Sequence, residues 1–406
     1  MAAASSGTSA DTAGTARTAT AGGAPVADGD AAPTPPREQE IALSAQNAAI
    51  RETVSCNTGV LNVFSFMVTQ TNYVLQRARV RENKLKETNR MRKRKLGRTD
   101  LEVPVIMLGG NVFGWTLGEA GSFELLDRAM DAGLNFIDTA DVYSKWAPGN
   151  HGGESETILG KWFARSGKRD RVVLATKVGI DMGDGKQGLS AKYIERAVED
   201  SLRRLQTDRI DLYQSHKDDE TTPFEETLGA YEKLIRAGKV RCIGASNYSG
   251  ARLREALETS VRNGLPRYES LQPLYNLMER DKYESDLAPV VAEFGLGVVP
   301  YYSLASGFLT GKYRQPADAQ GRPRAAGVQK YLNDRGFAVL KALDSVAAAY
   351  HASPASVALA WLIAQPGITA PIASATSPQQ LDDFVAALDL KLDSASVEKL
   401  TAASAV

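Results

Sequence analysis

Ile210-Asp211-Leu212-Tyr213-Gln214-Ser215 begins a stretch whose spacing decides the architecture. Comparable apolar runs open at Lys239, Tyr268 and Gly297, each 29 residues after the one before. Between them, Pro223–Arg236 and Ala251–Arg262 place apolar residues at helical intervals. Strand and helix alternating at such a period predict parallel βαβ units. The pattern extends outward in both directions. Further strands are expected near Val105, Leu134, Arg171 and Thr369, and further helices over Ser122–Ala132 and Ala191–Leu205. Eight strands in about 300 residues suit an α/β fold closed as a (β/α)8 TIM barrel better than a doubly wound sheet. A dinucleotide-binding doubly wound domain would also carry Gly-x-Gly-x-x-Gly after its first strand. The turn here reads Leu108-Gly109-Gly110-Asn111-Val112-Phe113-Gly114 and does not fit. Gly183-Asp184-Gly185-Lys186 likewise lacks the spacing of a phosphate-binding loop.

Composition agrees with a large buried core. Of 406 residues, 43% are apolar and 24% charged, which excludes a wholly disordered or collagen-like chain. Lys and Arg number 48 against 48 Asp and Glu, so no global field draws the chain to nucleic acid or membrane. The balance is uneven along the chain. Residues 1–76 hold three basic and six acidic side chains, whereas Arg77–Arg98 holds eleven basic and two acidic. That basic run has no interleaved aromatics and reads as a solvated segment rather than a nucleic-acid arm. Residues 1–40 repeat Ala, Ser, Thr and Gly before Pro33, Pro35 and Pro36, a composition that cannot offset its ordering entropy. Arg17 is the only basic residue of the first 36, against the Arg-rich pattern of a transit peptide. A loose helical period covers residues 60–90. The expected organisation is a low-complexity, mostly disordered extension over 1–90 and one barrel over 91–406. Cys56 and Cys242 are too few for a disulfide framework and fit a reducing, cytoplasmic setting. The apolar run Val60–Val68 is far shorter than the roughly 20 residues a membrane span needs.

In a barrel the active face lies at the C-terminal ends of the strands. Read in order, those ends carry Asp138, with Tyr143 five residues on, then Lys177, His216, Ser246-Asn247, Gln272 and Tyr301. A lone Asp or Lys at a strand end is usually a cap, and a lone His usually a scaffold residue. Barrel closure, however, aims all these ends at one pocket.

The set closely resembles the aldo-keto reductase family, in its potassium-channel β-subunit-like branch, as a bacterial-type member. Lys95-Leu96-Gly97-Arg98-Thr99 is similar to the family's opening β-hairpin. The likeness is most specific in Asn135-Phe136-Ile137-Asp138-Thr139-Ala140-Asp141-Val142-Tyr143, in Gly244-Ala245-Ser246-Asn247 and in Leu304–Lys312. It runs to about residue 390 and covers none of the first 90. By resemblance, Asp138, Tyr143, Lys177 and His216 correspond to the family's catalytic tetrad. The chemistry asked of them is consistent: a free phenol is a poor acid at neutral pH. An ammonium at Lys177 would favour the phenolate, and Asp138 would hold that ammonium. His216 would orient the substrate oxygen.

The resemblance also implies a nicotinamide cofactor, NADPH by default with NADH as the second, and no metal. Asp138, Ser246, Asn247 and Gln272 would face the carboxamide end, and Tyr301 would stack under the ring. Gly109, Gly110 and Asn111 would line the cofactor. Ser303, Leu304, Ser306, Gly307 and Lys312 would wrap the pyrophosphate. Ser374, Thr376, Gln380 and Asp383 would grip the adenosine end. Ser374 and Gln380 stand where many relatives carry a basic residue for the 2′-phosphate, and Phe384 where they carry an asparagine. Arg322 or Arg324 would then supply the missing charge. The implied substrate is a small carbonyl or alcohol, taken up by a monomer or weak homo-oligomer without nucleic acid or membrane. Trp146 would stack on a substrate face or merely pack the rim. The competing class is a cofactor-sensing binding subunit with little turnover, which the long extension would suit.

Overall fold

The computed structural model describes residues 92–405. The extension over 1–90, the helical period within it and Cys56 lie outside the described residues. The described chain opens with a hairpin, in which β1 (Lys93–Lys95) pairs antiparallel with β2 (Glu102–Pro104). Its apolar residues Leu96, Leu101 and Val103 are buried against Met107, Phe136, Ala175, Leu212 and Val299, which fill the barrel interior. The Arg94 guanidinium completes this floor by donating to the Ile363 carbonyl at 2.8 Å and to that of Ile368.

Eight parallel strands follow: β3 (Met107–Gly109), β4 (Phe136–Asp138), β5 (Val173–Val178), β6 (Ile210–Ser215), β7 (Val240–Ser246), β8 (Tyr268–Gln272), β9 (Gly297–Val298) and β10 (Ile372–Ala373). They stand side by side in the order β10-β3-β4-β5-β6-β7-β8-β9. The last gap is bridged by backbone bonds. Thr369 N–H donates to the Val298 carbonyl at 2.8 Å and Ile372 N–H to that of Pro300 at 2.9 Å. The β5–β6 register sets Lys177 opposite Gln214. The strands therefore end together, as a closed barrel requires.

Strand starts match the sequence reading at Ile210, Tyr268 and Gly297 and shift by one to three residues elsewhere. Pairing with a neighbour, rather than local β-propensity, determines where a strand begins. Helices form an outer ring: α1 (Glu119–Asp131), α2 (Glu154–Ser166), α3 (Ala191–Leu205), α4 (Phe224–Arg236), α5 (Gly250–Asn263), α6 (Ala288–Phe294), α7 (Asp334–Tyr350), α8 (Pro354–Ala364), α9 (Pro378–Asp389) and α10 (Ser394–Ala403). α3 buries Ile194, Ala197, Val198, Ser201, Leu202 and Leu205, a stripe at helical spacing, and its bounds agree with expectation. α8 has no such stripe, because every residue from Ala355 to Ile363 is buried. α2 carries Gly160 in its middle, where a methyl group would collide with the Arg204 carbonyl of α3. Both features hide a helix from a periodicity search. Among the described residues no single helix is long and apolar enough to cross a membrane.

Candidate active site

Three strand ends and one loop build a compact polar cluster. Asp138 closes β4, Lys177 lies one residue from the end of β5, and His216 follows β6 directly. Tyr143 comes from the loop after β4. Lys177 is fully buried and Asp138 almost so. The Lys177 ammonium lies 2.7 Å from Asp138 Oδ1 and donates to Asp138 Oδ2 at 2.8 Å, the Thr139 carbonyl at 2.8 Å and Tyr143 Oη at 2.7 Å. Tyr143 Oη in turn donates to Asp138 Oδ2 at 2.8 Å. Asp138 Oδ1 also accepts from Gln272 Nε2 at 3.0 Å, so the buried carboxylate is fully satisfied. The His216 ring meets Tyr143 edge to face, with centroids 5.9 Å apart. Its Nδ1 is buried without a hydrogen-bond partner.

Burial governs the electrostatics. It pushes the Tyr143 phenol well above its ordinary range, and the Asp138 charge and hydrogen bond add to this. The sequence led us to expect the reverse, with Lys177 lowering the phenol. Proximity is as expected, but desolvation of a phenolate outweighs the cation's pull in the resting site. Burial likewise pulls Lys177 down, while Asp138 sustains its charge. His216 falls well below the usual imidazole range, through burial first and Lys177 second, and is neutral at neutral pH.

This cluster opens onto a cleft of about 950 Å³ that runs from Asp138, Tyr143 and His216 to Ser374, Thr376 and Gln380. Lys312, Arg322 and Arg324 also line it. Among the described residues Arg324 has no carboxylate partner, and it lies over the Trp115 ring at 5.5 Å.

The sequence pattern described as "Aldo/keto reductase family" matches residues 105–405. The chain belongs to the aldo/keto reductase family. It is 39% identical over 306 residues to "Uncharacterized oxidoreductase YrpG" of Bacillus subtilis, covering 73% of this chain and 91% of that one. It is 34% identical over 313 residues to "Probable voltage-gated potassium channel subunit beta" of Oryza sativa, covering 74% and 92%. "Protein tas" of Escherichia coli is 32% identical over 327 residues, with 74% and 94% covered.

Against that family background, most expected cofactor residues line the one cleft. Gly109, Asn111, Ser246, Asn247, Gln272, Tyr301, Ser303, Leu304, Ser306, Gly307 and Asp383 all do so. Gly110 does not. Its N–H donates to the Asp138 carbonyl at 2.7 Å, and a Cβ there would sit 2.8 Å from that same oxygen. Gly110 thus allows β3 to lie against the end of β4 rather than forming the cleft wall. The residues expected at the carboxamide end are held to one another by internal bonds. Ser246 Oγ donates to the Gln272 carbonyl at 2.9 Å, Asn247 Nδ2 to the His216 carbonyl at 2.8 Å, and Tyr301 Oη to Asn247 Oδ1 at 2.9 Å. Ser374 Oγ donates to Asn111 Oδ1 at 2.7 Å, and Thr376 N–H to Gln380 Oε1 at 2.9 Å. Tyr302, Ala305 and Ser306 take positive φ beside the cleft, a conformation strained for residues other than glycine, and Gly307 takes it freely. Trp115 and Tyr302 also line the cleft. Both lie in loops several residues beyond β3 and β9, where a reading confined to strand ends does not reach. Trp146 packs edge to face with Trp115, centroids 5.6 Å apart, yet is 49% exposed, so it both packs the rim and remains open. Among the described residues no group of His, Cys, Asp and Glu is arranged to hold a metal ion.

Proposed function

We propose that this chain reduces an aldehyde or ketone to an alcohol, or runs the reverse, with NADPH favoured and NADH as second cofactor. The observation that carries this is the buried Asp138–Lys177–Tyr143 triangle, opening beside neutral His216 onto a long cleft. The donor set suits a nicotinamide dinucleotide. Lys312 would meet its pyrophosphate, Arg322 or Arg324 the 2′-phosphate of NADPH, Tyr301 its ring, and Ser246, Asn247 and Gln272 its carboxamide. Burial pulls Lys312 down, and Arg322 and Arg324 do so further, which an anion among the three would relieve. Ser374, Thr376 and Gln380 would add neutral hydrogen bonds at the adenosine end.

The cofactor, when bound, supplies hydride to the carbonyl carbon. The chain's own residues manage the oxygen. Tyr143 Oη keeps its proton in the resting site and gives it to the carbonyl oxygen as charge develops there. As the proton leaves, the Lys177 ammonium at 2.7 Å stabilises the phenolate, and Asp138 keeps that ammonium in place. For His216, the tautomer protonated at Nε2 avoids leaving a buried donor unpaired at Nδ1, so Nε2–H is available to the substrate oxygen. Two relatives named as channel β subunits support a second reading, a cofactor-sensing subunit with little turnover.

Nicotinamide-fluorescence titration with NADPH and NADH, then a carbonyl panel at saturating cofactor, separates the two. We expect turnover, and a fall in kcat of about 100-fold or more in Tyr143→Phe with cofactor binding little changed. Tight cofactor binding without turnover on any carbonyl would favour the sensor. Full activity in Tyr143→Phe would refute the acid assignment.

A further inference from the structure

Two buried carboxyls outside the cleft take no part in the chemistry above. Asp141 lies three residues beyond β4, and its N–H donates to the Lys177 carbonyl at 3.3 Å. Glu156 stands in the first turn of α2. Asp141 is 2% exposed and Glu156 fully buried. The two differ in how they are satisfied. Glu156 Oε1 accepts from Thr176 Oγ1 at 2.5 Å, and its Oε2 accepts from Arg204 Nε at 2.7 Å. Asp141 Oδ1 has no hydrogen-bond partner. An ionised carboxylate in that position keeps a hydrogen bond from the Val142 backbone, but its Oδ1 is unsolvated and Glu156 repels it, and taking up a proton relieves the repulsion and the cost of burying a charge.

The surrounding groups agree. Burial first and Glu156 second push the Asp141 carboxyl up to about 8, against the pull of Arg204 from α3, a backbone hydrogen bond from Val142 and the charge of Lys177 from β5. The phenols whose energies Asp141 affects are Tyr193 of α3, Tyr213 of β6 and Tyr231 of α4, and each is pushed above its ordinary range, so each stays neutral. Asp141 and Glu156 both act on the Lys177 ammonium.

We propose that Asp141 is a positioning residue for the reduction: its carboxyl carries a proton in the resting site and leaves the Lys177 ammonium free to favour the Tyr143 phenolate. The inference rests on the carbonyl-reductase reading of Tyr143 and Lys177. When Asp141 ionises, an added negative charge acting on Lys177 opposes the phenolate that must form, and proton donation slows. Neither Tyr143 nor His216 titrates in that window, because one is held well above it and the other well below.

The test is the pH profile of kcat at saturating NADPH for wild type, Asp141→Asn and Asp141→Glu, with Tyr143→Phe as control. Wild-type kcat should fall about tenfold as pH rises through about 8, the factor that about one pKa unit of change at the acid carries. Asp141→Asn should hold the low-pH rate across the window with KM little changed, and Asp141→Glu should restore the bend. A bend surviving in Asp141→Asn overturns the proposal, for it would then belong to Lys177. Wild-type turnover in Tyr143→Phe instead overturns the acid assignment beneath it, so the two failures are distinguishable. A second readout needs no turnover. The folded carboxyl keeps its proton to a higher pH than the unfolded chain does, so it costs stability progressively from about pH 4 to about pH 8. Wild-type Tm should fall across that range relative to Asp141→Asn. Should Asp141→Asn not fold, Asp141→Ser takes its place in the same comparison, and equal dependence of Tm on pH in wild type and variant overturns the proposal.

Discussion

Replacing Lys177 with methionine removes a charge while keeping much of the side chain's length. The ammonium has four oxygen contacts at 2.7–2.8 Å, one of them Tyr143 Oη. At 2.7 Å and an effective dielectric constant of about 20, opposite unit charges attract by about 6 kcal/mol. That is the most the ammonium can contribute to a fully formed phenolate, and it corresponds to about ten-thousandfold in rate. Lys177→Met should therefore lower kcat by about a thousandfold to ten-thousandfold, measured by nicotinamide absorbance during carbonyl reduction. It should also destabilise the fold by about 3–5 kcal/mol, because Asp138 is left as an uncompensated buried charge. The two effects separate in Lys177→Met/Asp138→Asn, which removes both charges. That double variant should recover most of the lost Tm and none of the lost turnover. The reasoning is refuted if Lys177→Met, folded and binding NADPH, keeps kcat within about tenfold of wild type.

Two further expectations concern other parts of the chain. Arg324→Gln should weaken NADPH binding by about tenfold or more and leave NADH nearly unchanged, because one charge-assisted contact to a phosphate contributes roughly 1.5–3 kcal/mol; Gln380→Arg should shift the ratio of dissociation constants the other way. Asp219 accepts from Leu189 N–H and the hydroxyls of Thr221 and Thr222, and these bonds outweigh burial and bring its carboxyl down to about 2. Its folded value lies below its unfolded one, so this stability is present above about pH 4 and lost towards about pH 2. Asp219→Asn should flatten that acid limb in thermal melts.

The residues that make up the polar cluster were legible because strand direction and barrel closure do most of the work. Asp138, Lys177 and His216 each sit within one residue of a strand's C-terminal end, and eight parallel strands deliver such ends to one face. The periodic helix α3 was legible for a similar reason, its apolar stripe being a local record of which side faces the sheet. Features set by contact between distant segments were not. Gly110 reads as a cofactor glycine from its place after β3, yet its role is decided by the Asp138 carbonyl beside it. Gln272 lines the cleft as expected, but the sequence does not show the second task of its Nε2, which donates to Asp138 Oδ1 and Gln214 Oε1. A buried carboxylate needs donors, and only the folded barrel shows which side chain is near enough to supply them.

The same distinction explains Tyr143. Neighbour identity can be read from a motif, and an ammonium near a phenol correctly suggests a stabilised phenolate. Desolvation cannot be read that way, because it depends on how many elements close over the group. In the folded barrel it is the largest influence on both Tyr143 and Lys177. The consequence favours catalysis of reduction. A phenol already ionised at rest would have no proton to give, whereas one held protonated by burial and by its bond to Asp138 gives it up only when charge appears on the substrate oxygen. Lys177 then acts on the transition state rather than on the resting acid, which is where electrostatic stabilisation raises a rate.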